Sequence, residues 1–88
     1  MPKIRFTRRF LKTSANLSAF VQEKIKKPIA LLAENPRHAS LQTKLIQGAA
    51  GVLEARIDID YRMTYERDAE DILALRVAGR HDETLKKS

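Results

Sequence analysis

The spacing of apolar residues along the chain changes twice, from every second position to every third or fourth and back again. Near the start, Ile4 and Phe6 alternate with polar residues, which predicts a short strand with one buried face. From about residue 17 the spacing is typical of a helix whose apolar stripe packs on a core. The members of this stripe are Val21, Ile25, Ile29 and Leu32.

Capping residues and prolines set the expected limits of this helical segment. Either Ser14 or Ser18 can cap its start, because a serine hydroxyl accepts a hydrogen bond from the first turn of a helix. Asn35 is expected to end it, since a residue that precedes proline is pushed out of helical geometry. Pro28 lies inside the segment and removes one helical hydrogen bond, so we expect a kink there or a break into two helices.

Residues 36–51 contain one proline, two glycines and little periodicity, which predicts a long connection. A connection of that length in a small domain is usually functional or partly structured. Lys44 lies within it. His38, beside the proline, is expected to be a solvated surface residue.

Two strands are predicted next, because residues 53–57 and 61–65 alternate between apolar and polar side chains. For their apolar residues to share one face of a hairpin, an odd number of residues must separate them at the turn. The simplest solution is a three-residue turn at residues 59–61, in which Asp60 takes the left-handed conformation.

This register places two arginines on the polar face of the hairpin. Asp58 would face Arg62, and Arg56 would face Thr64. The two arginines can form cross-strand charge pairs with Asp58 and Glu54, or they can bind an external anion, and the two roles are compatible.

Residues 72–78 are almost continuously apolar, which predicts a strand that is covered on both faces in the middle of the sheet. Arg76 is the exception. A guanidinium in such a run is usually paired or placed at a wet edge, so it could line the same concave surface as the hairpin arginines. After Gly79 the chain continues into a cluster of titratable residues, which we expect near that arginine face. Its members are Arg80, His81, Asp82 and Glu83.

Composition limits the classes of function that this chain can have. Its 88 residues predict one domain, residues 1–88. A net charge of +6 attracts polyanions or an acidic protein partner, and the absence of cysteine agrees with a reducing compartment. No apolar run is long enough for a membrane span or for the core of a signal peptide, so we expect a soluble, cytoplasmic protein.

Four segments, in this order and spacing, make the sequence similar to a known superfamily: "NPRHASL", "TKLIQGAAGVLEARID", "DYRMTYE" and "ILALRVAGRHDETLK". Together they resemble the RelE/ParE superfamily of toxin-antitoxin toxins over most of the chain. The resemblance implies an α+β fold, in which an N-terminal strand and helices precede three antiparallel strands of a twisted sheet with the helices on one face. It also implies a toxin that is neutralised by an antitoxin encoded beside it. RelE-like members of this superfamily enter the ribosomal A site and cut messenger RNA there.

The resemblance also suggests roles for individual residues. Arg62 falls where ribonuclease members place a catalytic arginine, and Lys44 falls near their basic loop residues. Arg80 and His81 fall near the superfamily's basic or histidine position after the final strand. Many ribonuclease members have Tyr or Phe shortly after that position, whereas this chain has Thr84 and Leu85.

The residue types suit metal-independent cleavage of RNA. This reaction needs a base for the ribose 2′-hydroxyl, an acid for the leaving 5′-oxygen and fixed cations around the phosphate. Histidine can act as either the acid or the base, and the paired N–H groups of an arginine guanidinium match the oxygens of a phosphate. The predicted catalytic residues are therefore Arg62, Arg80 and His81, and the predicted RNA-binding residues are Lys44, Arg56 and Arg76. We expect neither a metal nor another cofactor, because consecutive residues such as those at 81–83 do not converge easily on one ion.

Three functions remain compatible with the sequence. The first is a ribosome-dependent mRNA endoribonuclease, the second is a non-enzymatic inhibitor of DNA gyrase, and the third is an antitoxin-binding module without activity. The expected partners are an antitoxin with an acidic, amphipathic segment and mRNA on the ribosome. No membrane partner is expected, and the chain would assemble as a homodimer or as a hetero-oligomer with the antitoxin.

Overall fold

A five-stranded sheet with helices on one face makes up the part of the chain described by this computed structural model, residues 2–48, 50–68 and 71–80. This arrangement confirms the predicted α+β fold. The elements in chain order are β1 Lys3–Phe6, α1 Arg8–Ala15, α2 Ala19–Lys24, α3 Lys26–Glu34, a 3-10 helix Ala39–Leu41, β2 Lys44–Leu45, β3 Val52–Arg56, β4 Tyr61–Asp68 and β5 Ile72–Arg80.

The strands lie in the order β1-β5-β4-β3-β2. β1 runs parallel to β5, and the other neighbours are antiparallel. The predicted trio of antiparallel strands is therefore confirmed as β3, β4 and β5, with β2 added at one edge. The predicted N-terminal strand is confirmed as β1 at the other edge, but Phe6 is exposed there, so the expected buried face is wrong for this residue. β2 was not predicted, because a strand of two residues is too short to show a period. α1 was not predicted either, since Phe10 is its only buried residue.

The predicted break in the helical segment is present, but it lies at Ile25, between α2 and α3, and not at Pro28. Pro28 occupies the first turn of α3, where a missing N–H costs no helical hydrogen bond. Of the two candidate caps, Ser18 is the one used for α2, accepting a hydrogen bond from the Val21 amide at 3.4 Å. Asn35 ends α3 in an extended conformation, as predicted.

The helices cover one face of the sheet and close the core there. Val21, Ile25 and Leu32 of the predicted stripe are buried, and Ile29 packs against them. The buried cluster consists of Phe10, Val21, Ile25, Leu32, Leu41, Ala55, Ile57, Met63, Tyr65, Leu73, Leu75 and Ala78. In the described part of the chain, no helix combines the length and apolarity needed to cross a membrane.

The turn between β3 and β4 has the predicted odd parity but a greater length. Arg56 pairs directly with Arg62, so five residues separate them, and Glu54 pairs with Thr64. The predicted pairings of Asp58 with Arg62 and of Arg56 with Thr64 are therefore wrong. The Asp58 carboxylate accepts hydrogen bonds from the amides of Asp60 and Tyr61, at 2.9 and 3.0 Å, and this stabilises the wider turn without a left-handed residue at position 60.

β5 is an interior strand as predicted, although β4 holds the central position. Its pairing with β4 slips at one point, because Thr64 pairs with Val77 while Tyr65 pairs with Leu75. Arg76 is the extra residue of this β-bulge. A bulge reverses the alternation of side chains beyond it, so Leu73 and Leu75 share the core face with Ala78.

Candidate functional site

Four side chains gather on the sheet face opposite the helices, which we call the open face. Because Ala55 and Met63 lie in the core, their neighbours along β3 and β4 point to the open face. There, Lys44 of β2 pairs with Glu54 of β3 in one row, and Arg56 pairs with Arg62 in the next row. We call Lys44, Glu54, Arg56 and Arg62 the open-face cluster.

Glu54 is the buried centre of this cluster. Only 2% of its side chain is exposed, and its Oε1 lies 3.7 Å from Arg62 Nε and 3.8 Å from Lys44 Nζ. A buried carboxylate needs such cationic neighbours, because desolvation disfavours an isolated charge. The strand pattern alone predicts Glu54 only as a cross-strand partner of an arginine. Its contact with Lys44 depends on β2, which the sequence pattern did not reveal.

Arg62 is held rigidly at the beginning of β4. Its Nη1 donates hydrogen bonds to the carbonyl oxygens of Tyr61 at 2.9 Å, Ile59 at 3.3 Å and Asp58. The turn that Asp58 stabilises and the Glu54 carboxylate thus fix opposite sides of one guanidinium. Within the described residues no acceptor binds Nη2, so this end of the fork can receive an external anion.

Arg56 faces Arg62 directly across the two strands. Like charges in such a pair repel, which favours an anion between them. Among the residues that the structure describes, Arg56 forms no ion pair. Arg56 also lines a groove of 420 Å³ between the second and third helices and the end of β3, with Lys24 and Lys27 on its rim.

The other predicted site residues lie elsewhere or outside the described chain. Arg80 pairs with Tyr61 on the helix face, where it lines a separate pocket with Thr13, so it lies one pair along the strands from Arg62 but not on the open face, and its catalytic role stays a prediction. The bulge explains the difference: without an extra residue at Arg76, position 80 would alternate onto the open face. Arg76 itself pairs with Glu66 at 3.2 Å, away from Arg62.

His81, together with Asp82, Glu83, Thr84 and Leu85, lies outside the described residues, so its predicted role stays a prediction. Within residues 2–48, 50–68 and 71–80, no group of three His, Cys, Asp or Glu side chains is arranged to hold a metal ion. His38 is exposed, as predicted, and its Nδ1 accepts a hydrogen bond from the Ser40 amide at 3.1 Å.

The contribution of Asp58 to the stability of the turn depends on pH. Burial alone would raise the pKa of this carboxyl, but the Asp60 amide, the Lys24 ammonium and the Tyr61 amide bind its charged form, and its pKa lies below the ordinary value. Lys24 Nζ is 3.4 Å from the carboxylate. The carboxylate therefore contributes stability that is present above its unfolded pKa, about 3.9, and is lost as pH falls through the lower folded value.

We expect Asp58→Asn to weaken the pH dependence of stability in acid. Asparagine keeps the oxygen that accepts the turn hydrogen bonds but carries no charge to protonate, so the variant should lose less free energy of unfolding than the wild type below about pH 4. Urea unfolding at several values between pH 7 and pH 2.5 measures this difference. Asp60→Asn is the matched control in the same turn, and an equal change in both variants would contradict the role of Asp58.

Comparisons with known proteins fit this architecture. Residues 4–84 match the sequence model of the family described as "ParE toxin of type II toxin-antitoxin system, parDE". No curated protein sequence matches the chain.

Solved structures share the fold at low sequence identity. YafQ from Escherichia coli strain BL21(DE3) is 19% identical with a TM-score of 0.72, covering 96% of this chain and 98% of its own. A chain of the intact Escherichia coli RelBE toxin-antitoxin complex is 24% identical with a TM-score of 0.71, covering 91% and 96%. A chain of the RelB-RelE antitoxin-toxin complex from Methanococcus jannaschii is 18% identical with a TM-score of 0.74, covering 94% and 96%.

Proposed function

The chain belongs to the family of ParE toxins of type II toxin-antitoxin systems. We propose that it acts by cutting messenger RNA on the ribosome without a metal cofactor. The observation that carries the proposal is the direct pairing of Arg56 with Arg62 on the open face, with Lys44 in the adjacent row. Three cations around one carboxylate leave a positive site for a phosphodiester, which carries one negative charge.

The open-face cluster supplies the electrostatic part of such a reaction. As the ribose 2′-oxygen bonds to phosphorus and the bond to the 5′-oxygen breaks, negative charge grows on the phosphate oxygens. Arg62 is already oriented by Glu54 and the turn carbonyls, so it can stabilise that charge without reorganising. Arg56 supplies the second fork and Lys44 a positioning charge.

Proton transfer requires further groups. The 2′-hydroxyl must lose a proton and the 5′-oxygen must gain one. We assign one of these steps to His81, because its ordinary pKa lies near neutrality and it follows the end of the strand that adjoins Arg62. This reaction places the protein in the cytoplasm, where translated mRNA is found.

Inhibition of DNA gyrase is the second candidate, favoured by the match to the ParE family model. A binding protein of that kind needs complementary surface but no fixed phosphate site. The preorganised arginine pair is thus the feature that favours nuclease chemistry over gyrase binding. An antitoxin-binding module without activity would need neither a fixed phosphate site nor a gyrase-binding surface.

For the antitoxin, we propose a segment with acidic and apolar residues. The net charge of +6 favours an acidic partner, and the groove beside Arg56 combines the apolar side chains of Pro28, Leu31 and Leu41 with a lysine rim. The solved complexes of RelE and YafQ with their antitoxins concern those proteins, and they make a similar assembly the natural expectation for this chain.

Expression of the wild-type chain in bacteria tests the function. We expect growth arrest with new 5′ ends in ribosome-bound mRNA, poor cutting of free RNA, and cleavage that persists when chelators remove free divalent metal from purified, stalled complexes. Co-expression of the adjacent antitoxin gene product should restore growth. Gyrase-linked DNA breaks with intact mRNA would instead select the second candidate.

A further inference from the structure

We propose that Glu54 is a positioning residue that holds Arg62 and Lys44 in place for phosphate binding, an inference that rests on the proposed function. Its carboxylate is almost fully buried, whereas 16% of the Arg62 side chain and 61% of the Lys44 side chain are exposed. Glu54 therefore lies behind the two cations, away from the surface that a substrate reaches. It cannot touch the reacting atoms, so it is not a catalytic residue.

A single oxygen organises both cations. Glu54 Oε1 is 3.7 Å from Arg62 Nε and 3.8 Å from Lys44 Nζ, and these are ion-pair distances longer than direct hydrogen bonds. The two cations come from different strands, the short edge strand β2 and the central strand β4. A shared negative centre lets them approach each other although their charges repel. Without it, the edge lysine would have no structural reason to stay beside the arginine.

The direction of the contact with Arg62 matters for function. Glu54 engages Nε, and the turn carbonyls engage Nη1, which together set the plane of the guanidinium. Nη2, which binds no acceptor in the described part of the chain, then has a fixed direction. Loss of the carboxylate should leave the turn contacts intact but allow the guanidinium to rotate, and misplacement of such a group by about 1 Å can cost about 100-fold in rate.

The charge of the cluster also suggests its substrate. Lys44, Glu54 and Arg62 together keep one net positive charge, and Arg56 adds a second. A cluster of this charge suits a phosphate group, and the carboxylate limits the repulsion among the three cations when no phosphate is bound.

Glu54→Gln tests the proposal, because glutamine has the same shape without the charge. We expect the rate of mRNA cleavage at saturating ribosome complex to fall about 10- to 100-fold, with little change in KM. The Arg62 Nε–H proton, followed by NMR, should exchange with water faster than in the wild type. The melting temperature should fall, because Arg62 keeps a largely buried charge after its carboxylate partner is lost, so both measurements are made below the unfolding transition.

Glu66→Gln is the matched control on the same sheet, since it removes the partner of Arg76 and touches neither Lys44 nor Arg62. It should leave cleavage and the exchange of the Arg62 proton as in the wild type. Wild-type kcat with unchanged proton exchange in Glu54→Gln would overturn the proposal, and so would an equal loss of activity in both variants.

The NMR measurement separates this inference from the proposed function. If the wild-type chain cuts no mRNA, the proposed function fails. Faster exchange of the Arg62 proton in Glu54→Gln would still support the positioning role of Glu54, and unchanged exchange would still overturn it.

Discussion

Replacing Arg62 with alanine is expected to slow mRNA cleavage about 100- to 1,000-fold, the usual loss when one preorganised donor to a developing anionic charge is removed. In living cells, the variant should no longer arrest growth when it accumulates to the wild-type level. The reason is structural: the arginine is fixed at Nε by Glu54 and at Nη1 by the turn carbonyls, so its remaining donors need no reorganisation to meet a phosphate.

The same substitution has a structural cost that must be separated from the loss of function. Removing Arg62 takes one cation from the buried Glu54 and frees the carbonyls of the turn, so we expect about 1 to 3 kcal/mol of destabilisation. Circular dichroism, urea unfolding and antitoxin binding show whether the variant is folded. Arg67→Ala removes an exposed arginine of the same strand and should keep both toxicity and most of the stability.

Lysine at position 62 provides a sharper comparison. An ammonium keeps the charge, but it cannot engage Glu54 and the turn carbonyls and also present a donor of fixed direction to a phosphate. Arg62→Lys should therefore restore stability more than cleavage. Growth arrest by Arg62→Ala at wild-type expression would remove Arg62 from the site and, with it, the main residue-level argument for nuclease chemistry.

Alternation of side chains predicted much of the sheet and one essential part of the site. The parity of the hairpin placed Arg56 and Arg62 on one polar face, which the structure confirms. It could not give the length of the turn, because turns of three and of five residues have the same parity. The choice between them depends on the hydrogen bonds of the Asp58 side chain.

The position of Arg80 shows where alternation fails. Counting by twos along β5 puts Arg76 and Arg80 on the same side, but the bulge at Arg76 reverses every later position. The sequence offers no glycine or proline at that point to signal the bulge. Beyond the bulge, Ala78 lies in the core, and its amide donates a hydrogen bond to the Thr13 hydroxyl of α1 at 3.0 Å.

The role of Glu54 was hidden for a different reason. Its neighbour Lys44 lies in a segment whose glycines and weak periodicity predict a connection, and two residues of strand do not change that pattern. Only the pairing of β2 with β3 brings the lysine to the carboxylate. Sites assembled by such short edge strands depend on tertiary contacts that a local pattern does not contain.

A core substitution should produce the second large effect, this time on stability. Leu75 is fully buried on β5, where it pairs with Phe6 of β1 and Tyr65 of β4. Leu75→Ala removes buried methyl groups and leaves a cavity, which should lower the free energy of unfolding by about 2 to 5 kcal/mol. The loss is a large part of the total for a small domain, since typical stabilities are about 5 to 15 kcal/mol.

Leu45→Ala is the matched control, because the same side chain on the edge strand β2 is 68% exposed. It should change stability by no more than about 0.5 kcal/mol. Urea unfolding of both variants at one pH measures the comparison, and the slope with denaturant should stay constant if the cause is lost packing. Equal midpoints for the two variants would mean that the site beside the bulge collapses around the missing side chain. The junction of β1, β4 and β5 would then be held mainly by hydrogen bonds to the backbone, including those that Thr7 donates to the Leu75 carbonyl through its amide at 3.4 Å and its hydroxyl at 2.6 Å.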